Sequence, residues 1–206
     1  MSNPETSGRQ ERRRNRTRTA LIQAAQDVLA EGGDLRTSIQ DIATRADVGF
    51  GTFYNHFTDK AELYQAARAA AFEQYQAWRN EHTKDETDPV ARMALAIRAT
   101  GRFALEQPRL VRVLTSRVAR PGSGPPERLR IAVQEAAREL APPGADVTGT
   151  VVAAMGAIDA ILEELPGREP LEQVRLCDGL ARDLLRMLGA DQVRIAELVE
   201  APWQMG

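Results

Sequence analysis

Reactive side chains are scarce in this chain. Its 206 residues hold one cysteine, Cys177, and two histidines, His56 and His82. A lone cysteine excludes an intrachain disulfide, which fits a reducing compartment. The cysteine and the histidines are too widely spaced for a metal-ligand set or a nucleophile–base pair. A Gly-rich phosphate loop is missing as well, and the carboxylates fall on helical solvent faces. Enzyme activity, a metal and a cofactor are therefore not expected. Aromatics make up only 5% of the residues while Ala is abundant, which favours closely packed helices over sheet. No alternating strand pattern bounded by turns and no internal repeat is found. No apolar run approaches the length of a membrane span. The first apolar stretch, from Ala20, is interrupted by Gln23, Gln26 and Asp27, so it does not read as a signal peptide. A cytoplasmic location without a membrane partner is the expectation.

The net charge of −2 says little about partners, but its distribution says more. Arg9, Arg12, Arg13, Arg14, Arg16 and Arg18 crowd one short segment, opposed only by Glu11. A local cationic arm on a near-neutral protein suits a polyanion. Taken alone, such a run can equally be a solvated, disordered terminus.

Helical periodicity fills most of what remains. Ala20, Leu21, Ala24, Ala25, Val28 and Leu29 form one apolar face, which Gly32-Gly33 stops. Ser38 precedes a second face of Ile39, Ile42, Ala43 and Ala46, followed by a turn at Asp47-Val48-Gly49. A short helix is predicted over Thr52 to His56. Asp59 then opens a long one with Leu63, Ala67, Ala70, Ala71 and Trp78 on one side. Breaks follow at Asp88-Pro89, Gln107-Pro108, Pro121 to Pro126, Pro142-Pro143-Gly144, Pro166-Gly167 and Gly189. The predicted fold is all-α. It comprises a flexible basic arm (1–17), a three-helix helix-turn-helix domain (18–62) and a larger helical domain (63–206).

The segment from Ser38 to Phe57 carries the chemistry. Ser38 stands three residues before Asp41, the spacing of a capped helix start. Val48 plugs the turn, and Phe53 and Phe57, four apart, supply the inward face of the second helix. Phe50, Gly51, Thr52, Tyr54, Asn55 and His56 remain outside. Hydroxyl, amide, imidazole and aromatic groups together suit phosphates, base edges and thymine methyls. Scattered surface apolarity would account for Phe50 or Tyr54 singly.

This segment resembles the DNA-binding domain of the TetR family of bacterial regulators. The matching residues are Ser38-Ile39-Gln40-Asp41-Ile42-Ala43, Ala46, Val48, Gly51-Thr52-Phe53-Tyr54, His56-Phe57, Lys60, Glu62 and Leu63. The resemblance implies that Thr52, Tyr54, Ser38 and Lys60 hold backbone phosphates, while Phe50, Gly51 and Asn55 face bases. His56 is open between a phosphate contact and a brace for the helix end. Arg14 and Arg16 would extend the phosphate contacts. Two departures stand out: Asp47 replaces the usual turn glycine, and Phe50 replaces a polar or charged residue.

The larger domain offers two further expectations. Val147, Val151, Met155, Ile158 and Leu162 face one way on their helix, while Gly149, Ala153, Gly156 and Ala160 leave the other side narrow. The next helix is apolar around about half its circumference, wider than the stripe of about 100° that a one-sided helix needs. These small residues, with Leu180 and Leu184, are candidates for a homodimer interface; a larger monomeric core is the other reading. The resemblance agrees, since family members pair their last two long helices. A two-fold dimer would read an inverted-repeat operator in double-stranded DNA. Family members also bind a small effector in this domain. Gln74, Trp78, Phe103 and Met155 are the candidate pocket residues, with Arg98, Arg102, Arg117 and Asp159 as polar fixers. Each is also compatible with plain packing. Such a pocket would take a small apolar or amphipathic ligand. The function implied is an effector-released repressor. The alternative is an architectural or protein-regulated DNA-binding protein without an effector.

Overall fold

The computed structural model describes residues 4–33, 36–83, 86–116, 127–165, 167–200 and 203. Among these, ten helices and no strand occur: α1 (Pro4–Ala30), α2 (Ile39–Arg45), α3 (Phe50–Phe53), α4 (Lys60–Thr83), α5 (Pro89–Glu106), α6 (Pro108–Thr115), α7 (Glu127–Leu140), α8 (Thr148–Glu164), α9 (Pro170–Leu188) and α10 (Gln192–Val199). The chain divides into two compact units, Met1–Gln74 with Arg112–Pro121, and Tyr75–Val111 with Gly122–Gly206.

In the first unit, the apolar face of α1 packs with α2, α3 and the first turns of α4. Leu21, Ala25, Ile42, Ala43, Phe53, Leu63 and Ala67 are fully buried. The side-chain amide of Gln26 donates to the Ala67 carbonyl at 2.9 Å, pinning α1 to α4. Local chemistry ends the helices. Gly32, at φ 80°, closes α1 as its own N–H donates to Leu29 O and the Gly33 N–H donates to Val28 O. The same pair of bonds closes α2 through Asp47 and Val48, with Asp47 at φ 54°. Asp thus takes the left-handed position where glycine costs least.

Three boundaries differ from the sequence expectation. The arginine-rich segment 4–17, expected to be part of a flexible basic arm, is helical and forms the first turns of α1. Arg, Glu and Gln are good helix formers, and the segment continues the phase of the packed half of the helix without a break. The boundary expected after residue 62 is crossed by α4, a continuous 24-residue helix, and the units part at Gln74 instead. The first turns of α4 bury Leu63, Tyr64, Ala67 and Ala71, so they belong to the first core. The helix expected over Thr52 to His56 is α3, Phe50–Phe53, followed by a hydrogen-bonded turn to Phe57.

In the second unit, α5 is the central helix. It packs along α9 and against α7 and α10, with α8 across α7 and α9. The core includes Met93, Ala94, Ile97, Val133, Ala136, Ala154, Ala181 and Leu185. Gly101 decides how near α5 and α9 come. A Cβ placed there would lie 2.8 Å from Val174 Cα and 3.0 Å from Gln173 O. Asp88 caps α5, accepting from the Val90 N–H at 2.8 Å, and pairs with Arg194 of α10. Burial pushes the Cys177 thiol up to about 12, which keeps it protonated and unreactive.

Candidate functional site

The helix-turn-helix is built by caps at close range. The Ser38 hydroxyl accepts from the Asp41 N–H at 3.0 Å and donates to the Asp41 carboxylate at 2.6 Å; the Ser38 N–H donates back to it at 3.1 Å. These bonds hold the Asp41 carboxyl below its ordinary value, the Ser38 hydroxyl being the largest cause. They also revise the role expected of Ser38. Its hydroxyl is committed to a carboxylate, so a phosphate at this helix start would have to rely on backbone N–H groups. Lys60 is tied in a similar way: its ammonium donates to the Thr37 carbonyl at 2.6 Å, joining the start of α4 to the start of α2. Thr58 closes the entry to α4, its N–H and hydroxyl donating to Glu62 at 2.7 and 2.8 Å. Those two bonds lower the Glu62 carboxyl.

On this frame α3 presents two different faces. Phe53 and Phe57 are buried, with ring centroids 6.0 Å apart. Phe50 and Tyr54 are 46% and 53% exposed, with their rings edge to face at 5.6 Å. Tyr54 also leans on Phe53 at 5.2 Å, so an exposed aromatic is supported by a core one. Gly51 and Asn55 are exposed beside them, and Thr52 is half-buried. Nothing lies within 4 Å of where a Gly51 Cβ would be, leaving room for close approach by another backbone.

His56 is half-buried, and its Nδ1 is enclosed without a hydrogen-bond partner among the described residues. Burial first, then the charges of Arg14 and Arg18, push its pKa down. The Arg18 guanidinium lies 4.8 Å over the Phe57 ring. Arg14 and Arg18, one turn apart on α1, therefore face the end of the recognition segment. Arg9, Arg12, Arg13 and Arg16 are exposed, and helical spacing puts them on one stripe on the opposite side of α1 from Arg14 and Arg18. That division of the arginines follows from helicity, which the sequence reading did not assign to this segment.

The residues expected to line an effector pocket do not come together as a group. Gln74 is exposed and reaches only the Ala70 carbonyl of its own helix, because the neighbouring Tyr75 takes the inward position. Tyr75 bonds the Thr100 hydroxyl at 2.8 Å. Trp78 and Phe103 do meet, edge to face at 5.4 Å. Met155 lies in the core shared by α5, α7, α8 and α9. A cavity of about 230 Å³ opens instead between α4, α5 and α7, lined by Arg79, Thr83, Arg92, Ala96, Leu129 and Glu135 among others. None of Gln74, Trp78, Phe103 or Met155 lines it. On its wall Arg92 pairs with Glu135 at 2.5 Å. Of the polar fixers, Arg98 and Arg102 converge on Asp178. Arg117 is outside the described residues, and Asp159 is half-buried on α8.

The residues expected to pair two chains divide. Gly149, Ala153, Gly156 and Ala160 lie exposed on α8 beside Val152, which is 57% exposed. Leu180 and Leu184 do not join that surface: both are buried in the core of their own chain, on the side of α9 that α5 and α8 cover. The wide apolar circumference of α9 thus serves contacts on two flanks within one chain.

Among the described residues no cluster could hold a metal, and no helix is long and apolar enough to cross a membrane. Among the described residues, ten helices that include a capped helix-turn-helix with an exposed aromatic pair make an all-helical fold. Residues 21–67 match the family described as "Bacterial regulatory proteins, tetR family". Over these residues the chain is similar to the DNA-binding domain of that family. The regulator TtgR of Pseudomonas putida is 38% identical over 78 residues, which are 37% of each chain. The repressor Rv3405c of Mycobacterium tuberculosis is 43% identical over 53 residues, 26% of this chain and 28% of that one. The match therefore spans between about a quarter and little more than a third of these relatives. The fold likeness extends further. A structure of RolR in complex with resorcinol has TM-score 0.62 at 23% identity, covering 95% of this chain and 98% of that one. FadR of Bacillus subtilis, in complex with stearoyl-CoA, has TM-score 0.58 at 19% identity, covering 81% and 96%.

Proposed function

We propose that the chain is a repressor that occupies an inverted-repeat operator as a homodimer and leaves it when an effector binds. The observation that carries the DNA reading is the pairing of exposed Phe50 and Tyr54 on a short helix braced by Phe53, next to an arginine-rich α1. Tyr54 and Thr52 contact phosphates. Asn55 reads base edges by hydrogen bonding, and Phe50 touches thymine methyl or sugar. Arg9, Arg12, Arg13 and Arg16 add phosphate contacts along a helical stripe, which raises salt dependence. Lys60 ties the start of α4 to the start of α2, and Ser38 caps α2. The exposed small-residue face of α8 supports the dimer, since Gly149 and Gly156 have open space where a Cβ would lie. The cavity between α4, α5 and α7 is the candidate effector site. An effector there releases DNA only by its differential affinity for the two dimer geometries.

The test is selection of binding sites from random duplexes, followed by gel-shift titration. Selected sites should be inverted repeats. Tyr54→Phe should weaken every selected site about two- to tenfold, the worth of one hydrogen bond. Replacing Arg9, Arg12 and Arg13 together by Gln should flatten the salt dependence by up to about 0.9 per lost phosphate contact. Unchanged affinity in both variants would remove these contact assignments.

A second reading is supported by another relative. The nucleoid occlusion factor SlmA of a Marinomonas strain is 24% identical over 123 residues, 60% of this chain and 61% of that one. An architectural or protein-regulated DNA binder would need no small effector. A thermal-shift screen separates the two, because an inducer must both stabilise the protein and weaken operator binding.

A further inference from the structure

Phe50 is the residue of the reading face that contact with water alone explains least. It opens α3, and the first residues of a recognition helix are those that meet base edges. Its ring is 46% exposed, yet its orientation is supported from below. Tyr54, one helical turn on, meets it edge to face at 5.6 Å, with the planes 79° apart. Tyr54 in turn stands edge to face on Phe53 at 5.2 Å, and Phe53 is fully buried. Three rings thus run from the core of the first unit to its surface, and Phe50 is the outermost. Edge-to-face pairs add to the packing of each ring. A large apolar side chain propped in this way has little freedom left to lose when a partner covers it.

The surroundings decide what can cover it. Gly51 follows with nothing within 4 Å of its Cβ position, so the surface beside the ring is open to close approach. Asn55 is exposed on the same short segment and can pair with a base edge. The phenyl ring has neither donor nor acceptor, so it cannot read the hydrogen-bonding edge of any base. Of the groups that mark bases in the major groove, the pyrimidine C5 methyl is the apolar one. A sugar also offers carbon to a phenyl ring, but sugars are alike at every position and carry no sequence information.

We propose that Phe50, propped by Tyr54 and Phe53, reads a pyrimidine C5 methyl group and accepts it from thymine or from 5-methylcytosine alike. This rests on the operator reading above and names what one position of each half-site carries. The ring meets the methyl and is indifferent to the oxygen or amino group on the neighbouring carbon, because it can bond neither. Thymine at that position is read at all times. Cytosine there is read only once its C5 is methylated. The reading face thereby gains a response to cytosine methylation that a hydrogen-bonding residue such as Asn55 does not supply.

Duplexes selected by the unaltered protein provide the test. Each thymine of one half-site is replaced in turn by deoxyuridine, which removes the methyl group alone. One replacement should weaken binding roughly fourfold, the worth of burying one carbon. Cytosine and 5-methylcytosine at that same position should differ by a similar factor, in favour of the methylated base. Phe50→Ala should abolish both differences. Tyr54→Phe keeps the ring and removes the hydroxyl, so it should weaken all these duplexes by one common factor and leave both differences in place. No methyl effect at any position, a methyl effect that survives Phe50→Ala, or equal affinity for cytosine and 5-methylcytosine overturns the proposal. Should Phe50→Ala fail to fold, Phe50→Leu should keep the differences and Phe50→Gln lose them; equal behaviour of those two variants overturns it as well. Selected inverted repeats that are indifferent to the methyl remove this proposal and leave the operator reading standing. A protein that selects no duplex removes both.

Discussion

The two units satisfy their polar groups over very different ranges of sequence. In the helix-turn-helix unit, Ser38 bonds Asp41, Thr58 bonds Glu62, and Val48 and Asp47 close the helix they follow. Most of these partners stand three to five residues apart, and most of the side chains are exposed. In the second unit, Arg98 and Arg102 reach across 80 and 76 residues to Asp178, and Arg98 reaches 100 residues to Leu198. Short-range caps hold a surface open and rigid for a partner. Long-range buried charges hold the core of a domain together.

The largest expected effect removes the core support of the reading face. Phe53→Ala should destabilise the first unit by about 3–5 kcal/mol, the usual cost of emptying a buried phenylalanine site. Urea unfolding should show it, and a loss under 1 kcal/mol would mean that Tyr54 stands without Phe53. Asp178→Asn tests the long-range side of the contrast. It leaves Arg98 and Arg102 without their shared counter-charge, and about 3 kcal/mol is expected, the low end for breaking a buried pair. A neutral result would show that the two guanidiniums are solvated enough to part with it.

Gly101→Ala comes next. The added methyl meets α9 backbone, so a loss of about 1–3 kcal/mol is expected from overpacking. Gly179→Ala on α9 is its control, with open space where the methyl would lie and no loss expected. If both behave alike in thermal denaturation, the close approach of α5 to α9 is not what stabilises the unit. Ser38→Ala should cost about 1 kcal/mol through the lost cap. The Asp41 carboxyl is held below its ordinary 3.8, so the stability it brings is present above that value and lost as pH falls through the lowered one. The difference between Ser38→Ala and the parent should therefore shrink in acid.

The smallest effect concerns His56. Its folded pKa lies below the ordinary 6.5, so protons bind the unfolded chain first as pH drops. Stability of the first unit should be at its plateau above 6.5 and decline as pH falls below it. His56→Gln should flatten that decline in melts taken between pH 5 and 8. Operator phosphates beside Arg14 and Arg18 should raise the His56 pKa, so DNA binding should be less steeply lost in acid than free-protein stability.

Much of the reading domain is legible in the sequence because its determinants are local. The spacing of Ser38 and Asp41, the break at Gly32-Gly33 and the left-handed Asp47 are short-range chemistry, and each appears in the structure where the residues place it. Burial in the second unit is not readable in that way. Periodicity cannot say whether Leu180 and Leu184 face their own chain or another, since both surfaces are apolar. Nor can it choose between Gln74 and Tyr75 as the inward residue, because one residue shifts the helical phase by about 100°. Trp203 gave no sequence signal at all. Only the convergence of α4, α5 and the segment after α10 gives it neighbours.

The sequence by itself determined an all-helical chain, the capped helix-turn-helix and its outward Phe50 and Tyr54. These follow from helical periodicity, caps and turn residues that act over a few positions. Tertiary structure alone decided that α4 carries one core into its first turns. It also decided that Arg98, Arg102 and Asp178 meet under Trp203. The physical reason is reach. Caps and turns are settled between neighbours in the chain, whereas burial and charge pairing depend on surfaces that only folding brings into contact.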